Sequence, residues 1–149
     1  MSDPLYKKEL LRLAADAHGA GRLACASAIG HAHNPVCGDK VVVDLVLEDG
    51  RVVEIRQDAK ACVLTQASAS ILGKSLKGAT RGDVEALQHA IRAMLEARGP
   101  APETPFEDYA AFDAAFAYPS RHTCVLLPIQ AVLAAFDASE AEEPKPVRS

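Results

Sequence analysis

Residues 40–56 read KVVVDLVLEDGRVVEIR, and this stretch decides the fold. Two runs rich in β-branched residues flank Asp49-Gly50, a dipeptide that strongly favours a two-residue β-hairpin turn. Because side chains alternate between the two faces of a strand, one face of this hairpin is apolar. The predicted apolar face consists of Val41, Val43, Leu45, Leu47, Val53 and Ile55. An apolar sheet face needs a covering layer, so we expect helices to pack on it.

The segments before the hairpin predict one helix and one further strand. Asp3 is a candidate N-cap, Pro4 suits the first helical position, and Gly19 suits a C-terminal stop. The predicted buried positions of this helix are Tyr6, Leu10, Leu13 and Ala17. Residues 22–36 have no helical period and contain glycine and proline, so they predict an edge strand.

The segments after the hairpin predict helices for the covering layer. Residues 61–72 are small and apolar, and Thr80 with Asp83 predicts a capping box ahead of a helix over residues 84–95. We expect both helices to pack on the sheet. A proline-rich loop at 99–105 precedes a short helix at 106–117 and a break at Pro119. The last helix is predicted to follow Cys124, with Pro128 in its first turn. Its predicted buried stripe is Val125, Ile129, Val132, Leu133 and Phe136.

Length and composition predict one domain. The chain has 149 residues, of which 49% are hydrophobic and 24% charged. This is typical of a globular domain, which we assign to residues 1–138, and residues 139–149 are acidic and then proline-rich and predict a disordered tail. The net charge of −4 disfavours a nucleic-acid partner. We find no targeting segment and no run of roughly 18 apolar residues, so we expect no membrane partner and a cytoplasmic location.

Three cysteines stand beside residues that suit metal chemistry. Cys37 is followed by Gly38 and Asp39, whereas Cys62 and Cys124 each lie near a predicted helix start. The partial positive charge of a helix N-terminus favours thiolate, which is the form that binds zinc and iron–sulfur clusters. Gly38 would allow the backbone to approach a metal, and the Asp39 carboxylate could complete four-coordination with three sulfurs. An oxygen ligand exchanges more readily than a thiolate, so such a site would be labile.

The spacing leaves other interpretations open. No Cys-x-x-Cys pair is present, and isolated cysteines are common as inert core residues. Cys25 has no glycine, acid or helix start beside it, so we interpret it as a core residue outside the site. His31 and His33 are interpreted as exposed residues of the edge strand, and His122 as a loop histidine or spare ligand.

These motifs together resemble the N-terminal module of NifU/IscU-type iron–sulfur cluster assembly scaffolds, most closely the SufU-like branch. The similar features are Asn34-Pro35 with Cys37-Gly38-Asp39, Cys62 followed by Ala67-Ser68-Ala69-Ser70, and Cys124 at a C-terminal helix. The long interval between Cys62 and Cys124 is similar to the SufU-like insertion. The resemblance covers about residues 6–136 and implies an α+β fold of the SufE/NifU type, with a small antiparallel sheet of about three strands covered by helices on one face.

The resemblance also implies a function and its site. Cys37, Asp39, Cys62 and Cys124 would ligate a transient [2Fe–2S] cluster or a Zn²⁺ ion. The implied partners are a cysteine desulfurase, which would pass sulfur to Cys124, and iron–sulfur acceptor proteins. The chain departs from many IscU-like members because Thr123 rather than histidine precedes Cys124, and because residues 117–121 lack the Leu-Pro-Pro-Val-Lys chaperone segment.

Three functions follow as hypotheses. The first is a scaffold without classical turnover that builds a [2Fe–2S] cluster and passes it on. The second is a zinc-dependent sulfurtransferase that accepts persulfide sulfur at Cys124. The third, independent of the resemblance, is a cysteine-dependent hydrolase or redox enzyme with His122 as its base.

Overall fold

The computed structural model describes residues 7–36 and 38–142, which form a three-stranded sheet and the helices around it. In chain order the elements are α1 (Lys8–Asp16), β1 (Ala28–Asn34), β2 (Asp39–Glu48), β3 (Arg51–Lys60), α2 (Val63–Ser75), α3 (Arg81–Ala97) and α4 (His122–Glu142). Two 3₁₀ segments, Glu107–Ala117 and Pro119–Arg121, lie between α3 and α4. The strands are antiparallel in the order β1-β2-β3. The predicted α+β class and the edge position of the first strand are therefore confirmed.

The predicted hairpin joins β2 to β3. Asp49 and Gly50 both have positive φ values, 53° and 77°, as the tight turn requires. The register shifts between Val46 and Leu47, so that Leu47 pairs with Val52. Val52 is consequently buried, while Val53 is 40% exposed. The prediction that Val53 joins the apolar face is wrong, because a bulge changes which side chains of the partner strand face inward.

The apolar face of the sheet is covered by α4 and α2. Gly30 of β1 makes this packing possible, because an added Cβ would lie only 1.9 Å from the Ala131 carbonyl oxygen and 2.4 Å from the Ala135 nitrogen. The backbone of α4 thus lies directly on β1. A sheet of three strands is about 15 Å wide, so two helices of about 10 Å diameter fill it.

Helix α3 lies outside this layer. It packs against α4 and the 3₁₀ segment Glu107–Ala117, so the expectation that it packs on the sheet is wrong. Its predicted capping box is confirmed. The Asp83 N–H donates to the Thr80 hydroxyl and the Thr80 N–H donates to the Asp83 carboxylate.

Helix α1 begins later than predicted. Lys7 is extended and the helix starts at Lys8, while Asp3, Pro4 and Tyr6 lie outside the described residues. The helix ends where Ala17 adopts a left-handed conformation with φ 46°, two residues before Gly19. Leu10 and Leu13 are buried as expected, and Ala17 is partly buried.

Helix α4 also begins elsewhere than predicted. It starts at His122, directly after the 3₁₀ segment Pro119–Arg121, so Pro128 lies inside the helix rather than in its first turn. A proline inside a helix cannot donate to the carbonyl four residues earlier. For Pro128 that carbonyl belongs to Cys124, and it accepts the Thr65 hydroxyl at 3.0 Å instead. This side-chain donor from α2 explains how the helix tolerates the proline.

The far end of α4 reaches into the predicted tail. The helix continues to Glu142, so residues 139–142 are helical, and residues 143–149 lie outside the described part of the chain. Arg81 at the start of α3 forms ion pairs with Asp137 and Glu140 of α4. These contacts join the last turns of α4 to the domain.

The segment Pro119–Glu140 is the one described stretch that is long and apolar enough to cross a membrane. Its most apolar window is 56% buried within the protein, and α4 contacts β1, β2, α2 and α3. The predicted buried stripe of α4 is confirmed at Val125, Ile129, Val132 and Phe136, with Leu133 partly buried. Packing in the core therefore accounts for the apolar character of this helix.

Candidate metal centre

A tight turn between β1 and β2 places Asp39 at one end of the sheet. The Asn34 side-chain oxygen accepts the Val36 N–H at 3.0 Å, and the Asn34 carbonyl accepts the Gly38 N–H at 2.8 Å. Gly38 has φ 78°, and a Cβ there would meet no described atom within 4 Å. The positive φ is the reason that the turn requires glycine at this position. Cys37 itself lies outside the described residues.

Three predicted ligands meet in this structure. One ligand atom each from Asp39, Cys62 and Cys124 lies within 4.8 Å of the other two. Asp39 is the first residue of β2, Cys62 immediately precedes α2, and Cys124 is the third residue of α4. Asp39 and Cys124 are buried and Cys62 is partly buried. Residues separated by more than 80 positions in the chain thus form one cluster.

Hydrogen bonds hold the members of this cluster together. One Asp39 carboxylate oxygen accepts the Cys62 N–H at 3.3 Å, and the other accepts the Thr65 hydroxyl at 3.2 Å. The Thr65 hydroxyl also lies 3.5 Å from the Cys62 sulfur. The carboxylate is therefore oriented before any metal binds.

The environment of Cys62 favours its thiolate. A hydrogen bond from Cys124 is the main cause that lowers the pKa of Cys62 to about 6, and burial opposes it. The hydroxyl and the N–H of Thr65 lower this pKa further, whereas the Asp39 carboxylate raises it. The predicted preference for thiolate near a helix start is consistent with this result, although the Cys124 thiol is the larger cause.

The donor set suits a soft or borderline metal. In a tetrahedral zinc site with Zn–S bonds of about 2.3 Å, two sulfurs stand roughly 3.8 Å apart. Separations of up to 4.8 Å between the donor atoms of Asp39, Cys62 and Cys124 fit around one such ion after small adjustments. Two sulfurs and one carboxylate leave a fourth position, and Cys37 is the residue of the sequence motif that would supply it.

Sequence reasoning missed Thr65. This residue is 0% exposed and contacts Asp39, Cys62 and the backbone of Cys124. Thr65 follows Cys62 by three residues, and residues at that spacing share one side of a helix. This spacing could have predicted that Thr65 lies beside the Cys62 sulfur. Its contact with α4 depends on Pro128, whose placement inside the helix was not predicted.

The remaining cysteine and histidines lie elsewhere. Cys25 is exposed in the loop before β1, so its interpretation as a core residue is wrong, because this loop runs along the outside of the sheet. His31 and His33 are exposed on β1, as expected. A ring nitrogen of His122, Nε2, lies 2.9 Å from the Ala115 carbonyl oxygen. Among the described residues, the ligand cluster contains none of these four side chains.

The fold and the cluster define a class of protein: a small α+β domain in which one aspartate and two cysteines, suited to holding a metal ion, meet between the sheet and two helix starts. A sequence profile described as the NifU-like N-terminal domain matches residues 5–125. The chain therefore belongs to the NifU-like N-terminal domain family, which is the family of the iron–sulfur cluster assembly scaffolds NifU, IscU and SufU. The family resemblance inferred from the sequence motifs is confirmed.

Individual relatives agree with this assignment. The chain is 32% identical over 74 residues to the iron–sulfur cluster assembly scaffold protein IscU of Thermotoga maritima, which covers 50% of this chain and 52% of that protein. It is 31% identical over 83 residues to IscU 1 of Archaeoglobus fulgidus, covering 56% of this chain and 53% of that protein. The matches thus span about half the length of these curated relatives.

Solved structures match over a larger part of the chain. A NifU-like protein (N-terminal) from Brucella abortus has a TM-score of 0.88 and 35% identity, covering 94% of this chain and 97% of that one. An iron–sulfur cluster assembly scaffold protein for the SUF system from Fervidobacterium islandicum has a TM-score of 0.80 at 20% identity, with coverage of 91% and 98%. The second similarity shows the fold alone.

Proposed function

We propose that this protein is a scaffold on which a [2Fe–2S] cluster is built from iron and sulfur and then passed to acceptor proteins in the cytoplasm. The observation that carries the proposal is that a chain of the NifU-like N-terminal domain family brings Asp39, Cys62 and Cys124 together as candidate ligands. Cys37 is the fourth proposed ligand. Family membership and the names of the IscU relatives support the same role.

A cysteine desulfurase is the proposed sulfur donor. The Cys124 thiol would first pass its proton to the neighbouring Cys62 thiolate. The resulting Cys124 thiolate would attack the outer sulfur of the donor's persulfide, so that the donor's S–S bond breaks and its cysteine leaves as a thiolate. Two electrons from a thiol or ferredoxin reductant, with one proton, would then convert the Cys124 persulfide anion to a thiolate and hydrosulfide. Cys124 is only 3% exposed, so this transfer requires a movement of the protein that uncovers its sulfur.

Asp39 would make the cluster transferable. A carboxylate oxygen is a harder ligand than a thiolate and exchanges more readily on a soft iron–sulfur cargo. An acceptor's thiolate can therefore replace Asp39 before it replaces the cysteines. This order of replacement would suit a scaffold that must release its cluster.

The test is metal and sulfide analysis of protein purified without oxygen after co-expression with a cysteine desulfurase. Iron and acid-labile sulfide in equal amounts, with a [2Fe–2S] absorption spectrum, are the expected result. Cys62→Ser and Cys124→Ser should each lose the cluster, and Cys25→Ser is the matched control that should keep it. Protein without iron and sulfide would contradict the scaffold role.

A zinc-dependent sulfurtransferase is the second candidate, and the compactness of the cluster favours it. Three donor atoms within 4.8 Å already suit one ion, whereas a two-iron cluster needs ligands on both irons and a wider spread. In this function zinc would organise the thiols, and Cys124 would accept the persulfide sulfur. One tightly held zinc per chain, no sulfide, and transfer of labelled sulfur from the desulfurase would select this function over the first.

The cysteine hydrolase or redox enzyme has less support. The His122 ring is turned towards the Ala115 carbonyl oxygen, at 2.9 Å. A base for Cys124 would need to hydrogen-bond the thiol or the substrate proton. The position of the His122 ring therefore disfavours this function.

A further inference from the structure

We propose that Thr65 is a positioning residue of the metal centre, whose single hydroxyl joins the carboxylate of Asp39 to the first turn of α4 that carries Cys124. The inference rests on the proposed metal site and adds a residue to it. Thr65 is not itself proposed as a ligand. Its role is to keep two ligands from different elements in a fixed mutual position.

The contacts of the hydroxyl carry this inference. The Thr65 oxygen lies 3.2 Å from an Asp39 carboxylate oxygen and 3.0 Å from the Cys124 carbonyl oxygen. Both of these partners are acceptors, and the Cys62 sulfur at 3.5 Å is a third neighbour of the hydroxyl. A hydroxyl has one proton to donate, so its partners share that proton or alternate. Because Thr65 is 0% exposed, water does not replace it as donor.

Pro128 makes the hydrogen bond from this hydroxyl to the Cys124 carbonyl more important. In an ordinary helix that carbonyl would accept the N–H of residue 128, but proline has none. A buried carbonyl without a donor is costly, so the Thr65 hydroxyl stabilises the first turn of α4. The Asp39 carboxylate accepts the proton of the same hydroxyl. Thr65 therefore fixes the position of a ligand on β2 relative to a ligand on α4.

Ser68, one turn further along α2, provides a matched control. It is also 0% exposed, and its hydroxyl donates to the carbonyl of the next residue of α4, Val125, at 2.7 Å. Its other partner is the Tyr109 hydroxyl at 2.9 Å rather than a ligand. Loss of the Ser68 hydroxyl therefore also removes a buried hydrogen bond between α2 and α4, but one without a direct link to the metal site.

The experiment measures zinc affinity by competition with a chelator, and the absorption spectrum of the cobalt-substituted protein as a report on ligand geometry. Thr65→Val keeps the shape of the side chain and removes the hydroxyl, and we expect zinc to bind about 10- to 100-fold more weakly with an altered cobalt spectrum. Thr65→Ser restores the hydroxyl, so its affinity should stay within about threefold of the parent. Ser68→Ala should lower the melting temperature but leave zinc affinity and the cobalt spectrum unchanged.

A double variant separates the two contacts of the hydroxyl. Pro128→Ala gives the Cys124 carbonyl a helical donor, so Thr65→Val combined with Pro128→Ala should recover thermal stability. Zinc affinity should remain weak because the Asp39 carboxylate still lacks its donor. Full recovery of affinity would overturn the proposal, because the effect would then lie in the helix alone.

Other results would overturn it as well. Parental zinc affinity in Thr65→Val, or an equal loss of affinity in Ser68→Ala, would show that the hydroxyl does not position the ligands. Failure of the parent protein to bind zinc or cobalt would remove both the site and this role. Normal zinc binding without assembly of an iron–sulfur cluster would contradict the proposed scaffold function and leave the role of Thr65 supported.

Discussion

Strand β2 carries two buried aspartates on opposite faces, and their surroundings differ. Asp44, on the outer face, is 0% exposed and accepts three hydrogen bonds, two from the Arg22 guanidinium at 2.7 and 3.0 Å and one from the Leu23 N–H at 2.8 Å. Asp39, on the helix-covered face, accepts only the longer bonds from Cys62 and Thr65. Among residues 7–36 and 38–142, no lysine or arginine forms an ion pair with Asp39.

The two buried carboxylates have different roles: Asp44 stabilises the fold, whereas Asp39 is a candidate metal ligand. Asp44 has a cation and a backbone N–H, so its negative charge is compensated within the fold. Asp39 lies beside two thiols, and the described part of the chain places no such cation against it, so its carboxylate remains available to a metal. A protein that keeps a buried carboxylate without a paired cation for ligand binding usually has a lower folding stability in return.

The largest expected effect comes from the two thiols beside Asp39. Cys62→Ser or Cys124→Ser should weaken zinc binding by about a hundredfold or more, because a serine hydroxyl is a poor substitute for a thiolate on a borderline-soft ion. Competition with a chelator measures the loss. Cys25→Ser is the matched control, since Cys25 is exposed and outside the cluster. Equal affinity in all three variants would sink the assignment of the site.

Asp44→Asn should cost stability and leave metal binding alone. The uncharged amide cannot accept both guanidinium bonds and the Leu23 N–H as strongly, so we expect the free energy of unfolding to fall by about 2 kcal/mol. Urea titration measures the fall. Zinc affinity should stay within about twofold of the parent, and a larger loss would mean that the two faces of the sheet are coupled.

Asp39→Asn should have the opposite pattern. Loss of a charged ligand should weaken zinc binding by roughly tenfold, which corresponds to about 1.4 kcal/mol. Without metal, the variant should unfold at the same or a higher temperature than the parent, because a buried uncompensated charge has been removed. A marked fall in melting temperature together with unchanged zinc affinity would show that Asp39 is a structural residue like Asp44.

The smallest effect concerns acid unfolding. Burial raises the pKa of Asp44, but the hydrogen bonds from Arg22 and Leu23 and the charge of Arg22 outweigh it and lower the pKa below its ordinary value of 3.8. A lowered native pKa means that the carboxylate stabilises the fold above the ordinary value, and that this stabilisation is lost as the pH falls through the native value. The difference in stability between the parent and Asp44→Asn should therefore shrink below about pH 4. A difference that stays constant in urea titrations across this range would contradict the role of the ion pair.

Local patterns made several elements predictable. The two adjacent residues Asp49 and Gly50 both adopt the positive φ that the hairpin turn requires. Thr80 and Asp83 form their capping box inside a segment of four residues. Each of these features depends on neighbours in the chain. The same holds for Asn34, whose turn with Val36 and Gly38 presents Asp39.

Errors occurred where packing between distant segments decides the outcome. Val52 replaces Val53 on the inner face because of a bulge that no local pattern of β3 announces. Pro128 lies inside α4, where the Thr65 hydroxyl from another helix donates to the Cys124 carbonyl, the group to which residue 128 of an ordinary helix would donate. Cys25 is exposed because its loop follows the outer face of the sheet.

The α+β class, the hairpin and the family were predictable from the sequence, since these depend on short motifs and on periodicity. Only the tertiary structure brought Asp39, Cys62 and Cys124 within 4.8 Å and added Thr65 to them. The physical reason is that a metal site requires definite distances and angles between side chains that are far apart in the sequence. That geometry depends on how α2 and α4 pack on the sheet, with Gly30 allowing the close contact of α4 and β1.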